Sequence, residues 1–186
     1  MLLAVLWCFP VADGTAASET MVEKIASLAL GMEGYTIGKK LSPEQKTFAV
    51  ANLLDTSYRD TYSFSDGELR IVAAKQDDTV LALYQRNDRA DFEEAKRIVS
   101  GLMGLYGNPT TMAHDQLIYW AYGSQGKIDE DSYNKTKGQE GRTEILATVK
   151  FSSDFPITDA PAEDLKGTVY FIISSDLLTS SFLAAE

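Results

Sequence analysis

The sequence predicts an α+β fold, a mostly antiparallel sheet of about six strands with helices packed on one face. Three observations carry this. Two helix starts, at Thr20 and Ser42, bear complete capping signatures. Three short apolar runs between Tyr62 and Tyr84 are separated by turn residues, as in an antiparallel meander. One long amphipathic stretch then leads into three further strand-like runs, giving the order α-α-β-β-β-α-β-β-β. Few helices among consecutive strands suit helices gathered on one face of a sheet.

Each element has a local cause. Thr20 and Glu23 form a capping box, and Met21, Val22, Ile25, Leu28, Ala29 and Met32 follow at helical spacing, with Gly31 and Gly34 ending the helix. Ser42-Pro43-Glu44-Gln45 places Ser at N-cap, Pro at N1 and Gln at N3, ahead of Phe48, Ala51 and Leu54 on one face. Asp66-Gly67 between Tyr62-Ser63-Phe64 and Leu69–Val72 reads as a type I′ hairpin, and a turn at Gln76–Asp78 leads to Val80–Tyr84. Asp88 or Asp91 caps a helix over Ala90–Tyr106, striped by Phe92, Ala95, Val99, Leu102 and Met103. Gly101 and Gly104 each cost up to about 1 kcal/mol in its interior, which close backbone packing or early fraying would explain. Gly107 and Pro109 stop it. Strands are expected at Leu117–Tyr122, Ile145–Phe151 and Thr168–Ile173, a polar loop at Gly123–Gly141, and a short helix or edge strand at Leu177–Ala185.

Composition narrows the function. The chain has 186 residues, is 45% hydrophobic and carries a formal charge of −10. Such an apolar fraction excludes disorder, the acidic balance disfavours nucleic-acid binding, and one cysteine, Cys8, excludes a disulfide scaffold. Residues Met1–Ala12 are almost wholly apolar and are followed by small residues, the pattern of a signal peptide ending near residue 17. No Lys or Arg precedes the run, so a buried N-terminal strand or helix is the alternative. Trp7 before Cys8 disfavours lipid attachment. Export implies a periplasmic or secreted location, a single α+β domain over residues 18–186 and no membrane span after cleavage.

The layout Ser42-Pro43-Glu44-Gln45, Tyr62-x-Phe64-x-Asp66-Gly67-x-Leu69, Tyr106-Gly107-x-Pro109 and Trp120 resembles small exported bacterial envelope proteins of uncharacterised function. Among these are the β-lactamase-inhibitor-like modules of outer-membrane assembly lipoproteins. The resemblance covers about residues 35–125 and rests on turn and cap residues. It implies helices paired with a short antiparallel sheet and action through protein contacts rather than chemistry. The chain departs from that group in lacking a lipobox and in its strand-helix order, and no functional residue is carried across.

Sites for chemistry are sparse. His114 is the only histidine, and Asp115 beside it on an extended segment would point away. A hydrolase using His114 or scattered carboxylates is therefore an alternative rather than the leading reading. Ser132 and Lys135 match S-x-x-K, but within the expected polar loop rather than on a buried helix. Asp129, Asp131 and Glu140 fall at positions 1, 3 and 12 of a calcium loop, whereas Tyr133 and Asn134 occupy positions 5 and 6. They make a weak calcium candidate within a small-ligand alternative. No catalytic set and no cofactor are implied.

Tyr106, Tyr119, Trp120 and Tyr122 form the densest aromatic group and are the candidate partner-binding residues. On a strand, Trp120 and Tyr122 share one face and Tyr119 the other, so one face belongs to the core. The leading expectation is an exported, non-enzymatic protein acting by protein contact, as an adaptor, accessory subunit or inhibitor. From Phe151 onward, one base, Lys166, stands against six acids. That segment points either to a basic partner or to a solvated loop and tail.

Overall fold

The computed structural model describes residues 20–55, 59–136, 144–158 and 166–183, and for 181–183 the backbone alone. The expected signal peptide therefore lies outside the described residues. The chain forms α1 (Met21–Ser27), β1 (Gly31–Met32), β2 (Tyr35–Thr36), α2 (Pro43–Ala51), β3 (Thr61–Asp66), β4 (Leu69–Ala74) and β5 (Val80–Asp91). There follow α3 (Phe92–Tyr106), β6 (Thr111–Ala113), β7 (Leu117–Gly123), β8 (Gly126–Lys127), α4 (Glu130–Thr136), β9 (Ala147–Ser153), β10 (Lys166–Ser174) and α5 (Asp176–Leu183).

The α+β class and the mostly antiparallel sheet are as expected, but among the described residues the main sheet has eight strands rather than about six. Its order is β3-β4-β5-β10-β9-β7-β6, with β8 paired to β7. Two meanders, β3-β4-β5 and β6-β7-β9-β10, are thus joined edge to edge by the β5–β10 pair, and α3 is the connection between them.

Both sequence capping boxes form. The Thr20 hydroxyl accepts from Glu23 N at 3.3 Å, and the Ser42 hydroxyl accepts from Gln45 N at 3.2 Å. Asp91 is the cap of α3, accepting from Glu94 N at 2.8 Å. The first helix is shorter than its apolar spacing suggests. Ala29 turns to φ 54°, and Gly31 and Met32 become a strand, with Glu33 and Gly34 as the hairpin turn to β2. The β3–β4 turn is also different in kind: only Gly67 has positive φ, 57°, the type II′ requirement rather than type I′. β5 runs seven residues past Tyr84, to Asp91, because β10 supplies a pairing partner as far as Lys166↔Asp91. The expected polar loop after Gly123 contains β8 and α4, and the segment around His114 is the turn of a β6–β7 hairpin.

The pleat divides the sheet into two faces. One carries a cross-strand row of Phe64, Ile71, Leu83, Ile173, Val149 and Trp120, all 0% exposed. On this core side α3 inserts Ala95, Val99 and Leu102, and Tyr106 stacks near Phe171 with ring centres 6.5 Å apart. Gly101 and Gly104 have open space where a Cβ would stand, so close packing is not their reason. No helix among the described residues is long and apolar enough to cross a membrane.

Candidate functional site

Shifting by one residue on each strand moves from the core row to a row of different chemistry. Ser65, Arg70, Tyr84, Ile172, Lys150, Tyr119 and Thr111 are successive cross-strand partners from β3 to β6. One step along, Arg86, Tyr170, Ser152, Leu117 and Ala113 make a second row. A two-residue side-chain period sends both rows to the face opposite the core.

Three cations on this face each stand over a tyrosine of the neighbouring strand. The Arg70 guanidinium is 5.6 Å from the Tyr84 ring centre, Arg86 is 5.5 Å from Tyr170, and the Lys150 ammonium is 5.4 Å from Tyr119. Attraction between a cation and the ring quadrupole extends to about 6 Å. Arg70 also donates to the Tyr84 hydroxyl at 3.2 Å, and Arg86 Nε donates to Asp88 at 2.5 Å. Arg70 and Arg86 are exposed, whereas Tyr84, Tyr170, Ile172 and Lys150 are partly buried. The face is flanked at its β7 end by α4, while α5 lies against β5. Tyr133 of α4 lies 6.5 Å from Tyr119 ring to ring, and burial, Tyr133 and Asp176 together push the Tyr119 phenol up to about 12.

The four aromatic candidates separate. Trp120 is wholly buried, its indole N–H donating to the Gly107 carbonyl at 2.8 Å. Tyr106 lies 6.1 Å from it, tilted, and burial raises its phenol. Tyr122 is 9% exposed, with its phenol pushed up to about 12 by burial. Trp120 and Tyr122 therefore spend their area inside the molecule, Tyr106 is partly buried against the core, and of the four only Tyr119 reaches the cationic face.

The remaining candidates do not converge. His114 and Asp115 are exposed turn residues at φ 54° and 53°. Asp129 is occupied as a helix cap, accepting from Ser132 N and from the Ser132 hydroxyl, both at 2.8 Å. Residues 130–136 are helical instead of forming a twelve-residue loop around an ion, and Glu140 lies outside the described residues. No cluster of three metal-ligating side chains occurs among the described residues. The S-x-x-K pair sits on α4, with the Ser132 hydroxyl turned to Asp129 rather than to Lys135.

What sequence reasoning missed was the cationic face. Its signal lay in the strands themselves: Arg70 between Leu69 and Ile71, and Lys150 between Val149 and Phe151, are cations alternating with core residues. No protein-family model, no curated protein and no solved structure matches this chain.

Proposed function

We propose that the protein is exported and acts by contact with another protein, through the cationic face of its sheet. The observation that carries this reading is the set of three in-register cation–tyrosine pairs, Arg70–Tyr84, Arg86–Tyr170 and Lys150–Tyr119. Tyrosine and arginine dominate the residues whose loss weakens protein interfaces most, because each combines large contact area with hydrogen-bonding capacity. Rings and guanidinium groups already fixed by cross-strand pairing lose little conformational freedom on binding. The apolar leader-like stretch at residues 1–12 supports export.

The test is capture of a partner from the cell envelope by the unaltered chain and by single variants. Tyr170→Ser and Arg86→Ala are expected to reduce recovery about tenfold or more, since central aromatic and arginine contacts are each worth about 1–2 kcal/mol or more. His114→Ala is expected to leave recovery unchanged. Equal loss of function on His114→Ala, with the face variants active, would instead support the hydrolytic alternative.

A further inference from the structure

We infer that the segment bound by this face is an acidic, extended peptide, with two carboxylate side chains four residues apart and an apolar side chain midway. The inference rests on the contact-surface reading and adds the chemistry of what is held. Arg70 and Lys150 occupy one cross-strand row, with Tyr84 and Ile172 between them. Three inter-strand steps of about 4.8 Å put them about 14 Å apart. An extended peptide lying across the strands rises about 3.3 Å per residue and turns alternate side chains to one side. Its residues i, i+2 and i+4 therefore face the sheet, and the outer two stand about 13 Å apart. A carboxylate at each end meets Arg70 and Lys150, and the middle side chain lies on Tyr84 and Ile172.

The arginine end has additional capacity. Arg89 joins Arg70 and Arg86 around a hollow of about 510 Å³, so three of the chain's six arginines gather at one place on an acidic protein. Asp88 and Glu68 also line it and offset part of that charge. Arg86 engages Asp88 through Nε, and Arg70 engages Tyr84 through one terminal nitrogen. Among the described residues the other guanidinium N–H groups of Arg70 and Arg86 have no hydrogen-bond partner, which leaves them for the paired hydrogen bonds that a carboxylate accepts.

A peptide fits better than a nucleic-acid strand. The chain's charge of −10 repels a polyanion at long range, whereas two local carboxylates are answered by local cations. Ile172 at the centre of the row offers an apolar contact that a phosphate backbone would waste.

The test is fluorescence anisotropy with the protein and a labelled peptide of about nine residues, bearing glutamates at i and i+4 and leucine at i+2. Matched peptides carry glutamine in place of glutamate, or glutamates at i and i+1. The expected result is binding that weakens with added salt and falls about tenfold or more for the glutamine peptide. Arg70→Gln and Lys150→Gln should each weaken it about three- to tenfold, and the double variant more, with unchanged circular dichroism. The glutamine peptide tests the same point without altering the protein. Equal binding of the glutamate and glutamine peptides, no binding of either, no effect of spacing, or preference for a single-stranded oligonucleotide through the same residues would overturn the inference. If Tyr170→Ser still reduces partner capture while the acidic peptide is not preferred, the contact surface stands and only its assigned ligand chemistry fails.

Discussion

Arg86 and Tyr170 are direct cross-strand partners at the junction of the two meanders, with the guanidinium 5.5 Å from the centre of the ring. The pair exists only because β10, the last strand in the chain, is inserted beside β5 rather than at an edge. Closing the sheet at that seam therefore also assembles the cationic face. Variants that weaken the β5–β10 seam are expected to lose partner binding before they lose helix content, which parallel capture and circular dichroism measurements would resolve.

Trp120 holds the other side of the same sheet. Trp120→Ala removes a fully buried indole from the six-strand core row and is expected to cost about 3–5 kcal/mol. Trp120→Phe keeps much of the volume but leaves the Gly107 carbonyl without its indole donor, so about 1–3 kcal/mol is expected. Urea denaturation followed by circular dichroism measures both. Because Trp120 faces away from the cations, the phenylalanine variant should still bind partner at full strength while folded.

Two glycines are expected to respond in opposite directions. Gly101 lies in α3 with open space around its would-be Cβ, so Gly101→Ala should stabilise the protein by up to about 1 kcal/mol. Gly38 has φ +79°, and a Cβ there would stand 2.9 Å from the Ala26 backbone nitrogen in α1. Gly38→Ala should destabilise by about 1–3 kcal/mol, through positive-φ strain and separation of α1 from the following turn. Thermal melts of the two variants, run together, provide the check.

Stability should fall steeply in alkali. Burial raises the phenols of Tyr35, Tyr62, Tyr106, Tyr119 and Tyr122, three of them, Tyr35, Tyr119 and Tyr122, to about 12. The native state thus holds these protons more tightly than the unfolded chain, whose phenols ionise near pH 10. The stabilisation is complete below about pH 10 and is lost as pH rises toward 12. Part of the phenolate absorbance, that of these five rings, is expected to appear only with unfolding, and Tyr122→Phe should flatten the slope. Ionisation of all nine tyrosines near pH 10 in a still-folded protein would contradict this.

At the acid end, Asp78 joins α2 to the first meander. It accepts from the Tyr62 hydroxyl at 2.8 Å and pairs with Lys46 at 2.7 Å, and these hydrogen bonds hold its carboxyl below the usual range. A depressed native pKa gives stability that is present above the ordinary carboxylate range and lost as pH falls through the native value. Asp78→Asn should lower stability at neutral pH and flatten the acid limb of the stability profile.

The parts of the fold legible in the sequence were those decided locally. Thr20, Ser42 and Asp91 cap helices through atoms within three residues, and the core runs of β4, β7 and β10 follow their own alternation. The extension of β5 was not legible, because Gln85–Asp91 has no apolar alternation and is held as strand by pairing with β10. β6 was hidden for a similar reason: three residues gain strand character only from their partner β7. The cationic face was concealed twice. Its members lie far apart in sequence, and their charge is cancelled in the total by acids elsewhere. The aromatic cluster was visible as a cluster, but which of its rings point inward became definite only with the sheet's sidedness.

The most direct test of the cationic face as the contact surface places a benzophenone-bearing phenylalanine at Tyr84 and, in a second variant, at Arg97 on the exposed side of α3. Irradiation in the intact envelope is expected to give a discrete crosslinked species from position 84, diminished by Arg86→Gln, and none from position 97. A crosslink from position 97 with none from position 84 would contradict the account.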